Sequence, residues 1–234
     1  MKHLKHFFAG TRRFLVGDFK QLLIFLLLLF VFRPYNIGID YIAIWHLFFT
    51  GVLLAAIFNC HHSRGVQIIA LILGLPTFIV NWWSLFRPTE LLFVLGFSLS
   101  LLFLVFAIFS LMSKVLLGKV TADILRGTIC VYFMIGFAFA LLFTLMEFLE
   151  PGSFNGLTER ISLFPHGHYH SEMVYFSFIT LLAIGYGDIT PAGDLGQMFA
   201  VLEGIIGHFY LAIIVARIVA AYAMGSLSQK KTPG

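Results

Sequence analysis

Long apolar runs alternate with short polar breaks along the chain, and that rhythm predicts its elements. Six apolar segments can be read, at 17–33, 41–58, 66–86, 91–112, 128–149 and 195–224. A helix needs about 20 apolar residues to cross the hydrocarbon core. The first segment is the weakest. Its uninterrupted part, LLIFLLLLFVF at 22–32, is short, and Asp18, Lys20 and Arg33 have to snorkel at its ends. The rhythm breaks between the fifth and sixth segments. PGSFNGL is turn-rich, and SEMVYFSFITLLA (171–183) is helix-like but too short to cross. Glycine-punctuated IGYGDITP follows it. A short helix and then non-helical backbone at membrane depth predicts a re-entrant loop, which is tolerated only where it is buried in protein or lines water.

Composition sharpens the class. The 234 residues are 60% hydrophobic and 11% charged, with 28 phenylalanines and a mean hydropathy of +0.96. That is too little charge to cover a soluble domain. The expected fold class is an all-α integral membrane protein with six transmembrane helices and a re-entrant pore helix between the fifth and sixth. Charge orients it. With six spans and the N-terminus inside, twelve of the 15 Lys and Arg lie on the cytoplasmic side, against Arg33, Arg87 and Arg160 outside. Dropping the first span would set the N-terminal positive charges against the rest, so six spans with both termini cytoplasmic are expected. No cleavable leader is expected, because the first apolar run leads into Arg33 and Pro34 without a small-residue cleavage site.

Five regions follow. Residues 1–20, basic and rich in Phe, predict an interfacial segment on the anionic inner leaflet, or a ragged start to the first span. Residues 21–112 form a four-helix transmembrane domain. Residues 113–127, SKVLLGKVTADILRG, predict a short amphipathic linker helix on the cytoplasmic face. Residues 128–224 form a pore domain, and 225–234 a short disordered tail. The fourth span contains no Arg or Lys, so it is not a voltage-sensing helix. Cys60 and Cys130 suggest neither a metal site nor a disulfide.

In TLLAIGYGDITP, Gly185 and Gly187 open backbone angles closed to other residues, so successive carbonyls can turn to one side. A span, a short helix, GYGD and a final span resemble the pore module of tetrameric potassium channels. The surrounding VTADILRGTICVYFMIG and PGSF are similar to small bacterial six-span ion-channel proteins. The resemblance implies a homotetramer in a bacterial inner membrane, with potassium as its permeant ligand and no other cofactor. It also implies a filter of Ala183, Ile184, Gly185, Tyr186 and Gly187, whose carbonyls line the ion path. Tyr175, Phe176, Ser177 and Thr180 match the family's filter-supporting positions. Thr180 is expected to reach Tyr186 of a neighbouring subunit, and Asp188 to pair with Tyr175. Ile179 stands where some members carry a glutamate. Ala183 departs from the family's threonine and removes one hydroxyl per chain from the innermost ring.

The final span carries further candidates at Glu203, Gly207, His208, Leu211 and Val215, read as cavity or gating positions. Gly207 lies where the family has a hinge glycine, and close helix packing explains it equally. His208 is expected to face the cavity, or to sit at a helix interface. Glu203 is open to conduction, to a protonated resting state, or to a structural hydrogen bond with the pore helix. HGHYHSE offers His166, His168 and His170 on one side of an extended strand, where zinc or protons can bind, although such a run is also compatible with plain solvation. The leading function is a passive, potassium-selective cation channel without classical voltage gating. It is not an enzyme and has no nucleic acid or soluble substrate as partner. The alternatives are a weakly selective cation channel, and a transporter or metal-binding membrane protein that uses Glu203, His208 and the histidine run.

Overall fold

The computed structural model describes residues 19–32, 39–59, 64–118, 120–157 and 166–230, with backbone alone over 39–42, 64, 166–170 and 221–230. The interfacial segment expected before residue 19 and the last four residues lie outside it. The described residues are nearly all helical: α1 Phe19–Val31, α2 Ile39–Asn59, α3 Arg64–Phe86, α4 Glu90–Leu117, α5 Ala122–Leu149, α6 His166–Leu181 and α7 Asp194–Lys230. One antiparallel pair of two-residue strands, β1 Phe154–Asn155 and β2 Thr190–Pro191, completes the fold.

Four helices are long and apolar enough to cross a membrane, over Gly65–Phe86, Glu90–Leu117, Ala122–Leu149 and Asp194–Ala220. Two more apolar stretches, Phe19–Val31 and Ala43–Asn59, are shorter. The protein is thus a helical membrane protein with four span-length helices among its described residues. Thr89 and Thr121 start α4 and α5 by accepting the N–H groups of Leu92 and Ile124 at 3.3 and 3.2 Å, which satisfies donors that a helix start leaves orphaned.

α5 is the axis of the molecule. α1, α4, α6 and α7 all pack on it, while α2 and α3 link α1 to α4. α1 buries Phe19, Leu22, Leu26 and Leu29, a stripe at helical spacing. Its first N–H donates to Asp123 Oδ1 at 3.1 Å, tying the start of α1 to the start of α5. Polar side chains join the outer helices. Asn81 donates to Ser100 Oγ at 3.0 Å, and the Trp82 indole N–H donates to Thr50 Oγ1 at 3.0 Å.

Two expectations change. The linker at 113–127 is not a helix of its own: 113–117 finish α4, and 122–127 begin α5. Gly118 N–H closes α4 on Lys114 O, and Thr121 immediately caps α5. Arg217 of α7 donates to the carbonyls of Val115 and Gly118, occupying the end of α4 that an amphipathic linker would otherwise extend. At the other terminus, residues 225–230 continue α7 where a disordered tail was expected.

Candidate functional site: a pore loop between α5 and α7

The loop is anchored at both ends before it reaches its glycines. Glu147 lies buried near the end of α5, and its two carboxylate oxygens accept the N–H groups of Gly152 and Phe154 at 2.9 and 3.0 Å. That bidentate cap folds the chain back so that Phe154 pairs with Pro191 and Asn155 with Thr190. Gly156 follows with φ 83, and a Cβ there would lie 1.8 Å from the carbonyl oxygen of Asp188. Only glycine lets this backbone rest directly on the backbone after GYG. Below it, the rings of Phe143, Phe154 and Phe176 meet edge-on, with centroids 5.1 to 5.4 Å apart.

α6 enters the loop and ends on a tight set of bonds. Ala183 N–H donates to Thr180 O at 2.9 Å, and Ile184 and Gly185 N–H converge on Ile179 O at 2.8 and 3.3 Å. The chain then leaves the helix with alternating handedness. Ala183, Gly185 and Gly187 have φ of 55, 57 and 79, while Ile184 and Tyr186 between them do not enter the left-handed region. Alternating hand rotates each peptide against the last, which can bring successive carbonyls to one side of an extended strip, the arrangement that ion filters use. Ala183 is the one residue with a side chain at positive φ among the described residues; an L-residue held there costs about 1–2 kcal/mol. Tyr186 is 71% exposed and Ile184 49% exposed, so the described residues of its own chain leave much of the strip open.

The support is concrete. The Tyr175 hydroxyl donates to Asp188 Oδ2 at 2.7 Å, bridging α6 to the residue after the strip. Phe176 is buried in the ring cluster, and Ile179 is buried. Ser177 Oγ lies 2.7 Å from Gly136 O of α5 and 2.5 Å from Glu203 Oε1 of α7. The Tyr132 hydroxyl donates to Leu181 O, the last carbonyl of α6, at 3.1 Å.

α7 divides the expected cavity residues. Glu203, Gly207, Tyr210 and Ile214 form its buried stripe. A Cβ at Gly207 would lie 2.5 Å from Leu181 O, so Gly207 is a point of close backbone approach to α6. Glu203 is fully buried and hydrogen-bonded to Ser177 of α6. Neither shares the open face of α7: of the readings open from sequence, the geometry fits a structural hydrogen bond for Glu203 and close helix packing for Gly207. His208, Leu211 and Val215 recur on another face, and all three are exposed in the single chain. His208 Nδ1 sits 3.2 Å from Gly204 O. His166, His168 and His170 lie in the first turns of α6, so the expected extended alternation is replaced by helix. No group of three or more metal-ligating residues occurs among the described residues.

Sequence reading missed Glu147, Gly156, Tyr132 and Gly136. Glu147 left a signal, an acidic residue closing an apolar span just before a Pro-Gly turn. Tyr132 and Gly136 left none, since each works through a backbone contact between distant segments.

The fold defines a helical membrane protein with a short helix and a glycine-punctuated loop set against its final helix. Comparison with known proteins adds the ion channel class. Residues 156–223, from the turn after β1 through most of α7, match the model of the ion channel family. The chain is 27% identical over 133 residues to Protein LctB of Bacillus caldotenax, covering 49% of this chain and 94% of that protein. It is 44% identical over 48 residues to Protein LctB of Geobacillus stearothermophilus, covering 20% of this chain and 35% of that protein. It is also similar to Two pore potassium channel c of Oryza sativa subsp. japonica, 36% identical over 53 residues, 23% of this chain and 12% of that protein. No solved structure matches the chain. These likenesses support an ion channel.

Proposed function

We propose that the chain is one quarter of a four-fold symmetric, passive cation channel that conducts potassium through the strip Ala183 to Gly187. The observation that carries this reading is the alternation of positive φ at Ala183, Gly185 and Gly187 on a strip hung from the end of a short helix. One strip supplies one oxygen per ring, and a ring able to replace a potassium ion's hydration shell needs four chains about one axis. The uncovered flank of Tyr186 and the exposed apolar face of α7 are consistent with neighbouring copies. In the assembly Thr180 reaches Tyr186 of the next chain, and His208, Leu211 and Val215 line the cavity under the filter. α1 and α2 complete six spans, with both termini on the cytoplasmic side of a bacterial inner membrane whose anionic lipids meet the basic N-terminus. The channel is not gated by a charged fourth helix, since α4 carries a single basic residue, Lys114, at its end.

The test is the reversal potential of purified protein in planar bilayers under mixed potassium and sodium. A reversal near the potassium equilibrium potential, with block by barium, is expected. A weakly selective channel is the second reading, favoured by one observation: Ala183 brings no side-chain oxygen to the inner end of the strip. A reversal near zero would select it, and the absence of any cation current would overturn both.

A further inference from the structure

Three helices meet at one hydroxyl. Ser177 Oγ, fully buried on α6, stands 2.7 Å from the Gly136 carbonyl of α5 and 2.5 Å from Glu203 Oε1 of α7. Glu203 is itself fully buried, and its Oε2 has no hydrogen-bond partner among the described residues. Ser177 has one hydrogen to give, and both neighbours are oxygens. If the carboxylate is ionised, it and the carbonyl compete for that hydrogen, and one short oxygen–oxygen contact is left without a proton between its atoms. If Glu203 carries a hydrogen on Oε1, every short contact is filled: Glu203 donates to Ser177 Oγ, and Ser177 donates to Gly136 O. An isolated carboxylate in a membrane interior is expensive, and a neutral acid in a complete chain of donors is not.

The position of this chain matters as much as its chemistry. The strip Ala183–Gly187 hangs from the carbonyls of Ile179 and Thr180. Ser177 lies just before those carbonyls on α6, and Leu181 just after. α7 touches α6 at both levels, through Glu203 at the first and through Gly207 against Leu181 O at the second. The two residues are one helical turn apart on α7, so a single face of α7 brackets the segment that holds the filter's base.

We propose that Glu203 is a positioning residue for the filter: as a neutral acid it donates to Ser177, and the chain Glu203–Ser177–Gly136 fixes the base of the strip against α5 and α7. This rests on the channel reading given above, and the experiment keeps the two separable. Glu203→Gln retains a donor at this point, Glu203→Ala removes it, and Ser177→Ala removes the middle of the chain. Each full-length protein is purified, melted in detergent, and reconstituted for reversal potentials in mixed potassium and sodium. Glu203→Gln is expected to keep the parent's permeability ratio. Glu203→Ala and Ser177→Ala are each expected to lower it by about fivefold, the factor carried by one lost hydrogen bond, and the double variant to fall no further than either single one. A purely structural role would lower melting in Glu203→Ala without moving the ratio in the protein that remains folded, and that result overturns the proposal. Glu203→Gln as impaired as Glu203→Ala also overturns it, because the ionised carboxylate would then be the working form. Where Glu203→Ala fails to assemble, Glu203→Gln and Ser177→Ala decide alone. A parent that assembles but passes no cation refutes the channel reading, and the melting order of the three variants then still tests the hydrogen-bond chain.

Discussion

Replacing Gly207 with alanine separates two roles that a glycine in a pore helix can play. In an unconstrained helix the change is favourable by about 1 kcal/mol. Here the new Cβ would stand 2.5 Å from Leu181 O and 3.0 Å from Leu181 Cδ1. Carbon and oxygen rest no closer than about 3.3 Å, so α7 or the end of α6 has to retreat by roughly 0.8 Å. Overpacking of this kind costs about 1–3 kcal/mol. Leu181 O also accepts the Tyr132 hydroxyl at 3.1 Å, and a displaced carbonyl loses that bond, at about 1 kcal/mol. The net expectation for Gly207→Ala is a loss of about 1–3 kcal/mol per chain, larger than the helix-propensity gain. The displacement falls two residues before Ala183, so it reaches the base of the strip proposed as the filter. Thermal unfolding of the purified oligomer should therefore shift down, and the potassium-to-sodium permeability ratio should fall with it. A hinge predicts the opposite pattern: a stiffer α7, equal or higher stability, and an unchanged ratio with altered opening. A Gly207→Ala protein that melts above the parent and selects as the parent does would refute the close-approach argument.

Three further substitutions probe the strip, its outer mouth and its inner face. Ala183→Thr places one hydroxyl per chain at the inner end, so barium block from the inside should strengthen, while a β-branched residue at φ 55 should lower stability by about 1–2 kcal/mol; unchanged barium affinity would count against an inner site short of oxygen. Gly156→Ala drives a Cβ to 1.8 Å from Asp188 O at φ 83, so oligomer yield or melting should drop by more than about 3 kcal/mol's worth of stability, and near-parental melting would show that the loop after β1 is not fixed on the filter's mouth. His208→Trp adds bulk to the exposed face shared with Leu211 and Val215; single-channel conductance should fall, and a conductance equal to the parent's would take His208 out of the cavity.

The helices were legible because a membrane leaves few alternatives: apolar length alone predicts α3, α4, α5 and α7. The pore loop was legible for a related reason. A segment too short to cross, followed by paired glycines, has few conformations that keep its backbone satisfied at depth. The linker between α4 and α5 was not legible, because its amphipathic pattern suits a free surface helix equally well. Its ends are fixed by the Gly118 closure and the Thr121 cap, and Arg217, a hundred residues away, donates to the carbonyls at the end of α4. The same limit explains Glu203 and Gly207. Helical spacing places both on one face of α7, but nothing local says whether that face meets a cavity or a neighbouring helix. The answer depends on how near α6 comes, and that distance is set by backbone atoms, Leu181 O above all.

Ala183 can now be weighed from both sides. It holds the left-handed conformation that the alternation demands at the base of the strip, and there a β-branched side chain is a steric outlier where alanine is merely uncommon. Threonine would bring a hydroxyl oxygen to the innermost ring at the cost of backbone ease; alanine keeps the backbone carbonyl and gives up the hydroxyl. The strip above depends on Gly185 and Gly187, which carry the alternation with no steric cost. It is held at the mouth by Tyr175 and Asp188, and at the base by bonds to Ile179 and Thr180. None of those contacts involves the side chain of Ala183. In the proposed filter the consequence of the alanine is therefore local: it would change the innermost ring and leave the bonds that hold the upper strip in place.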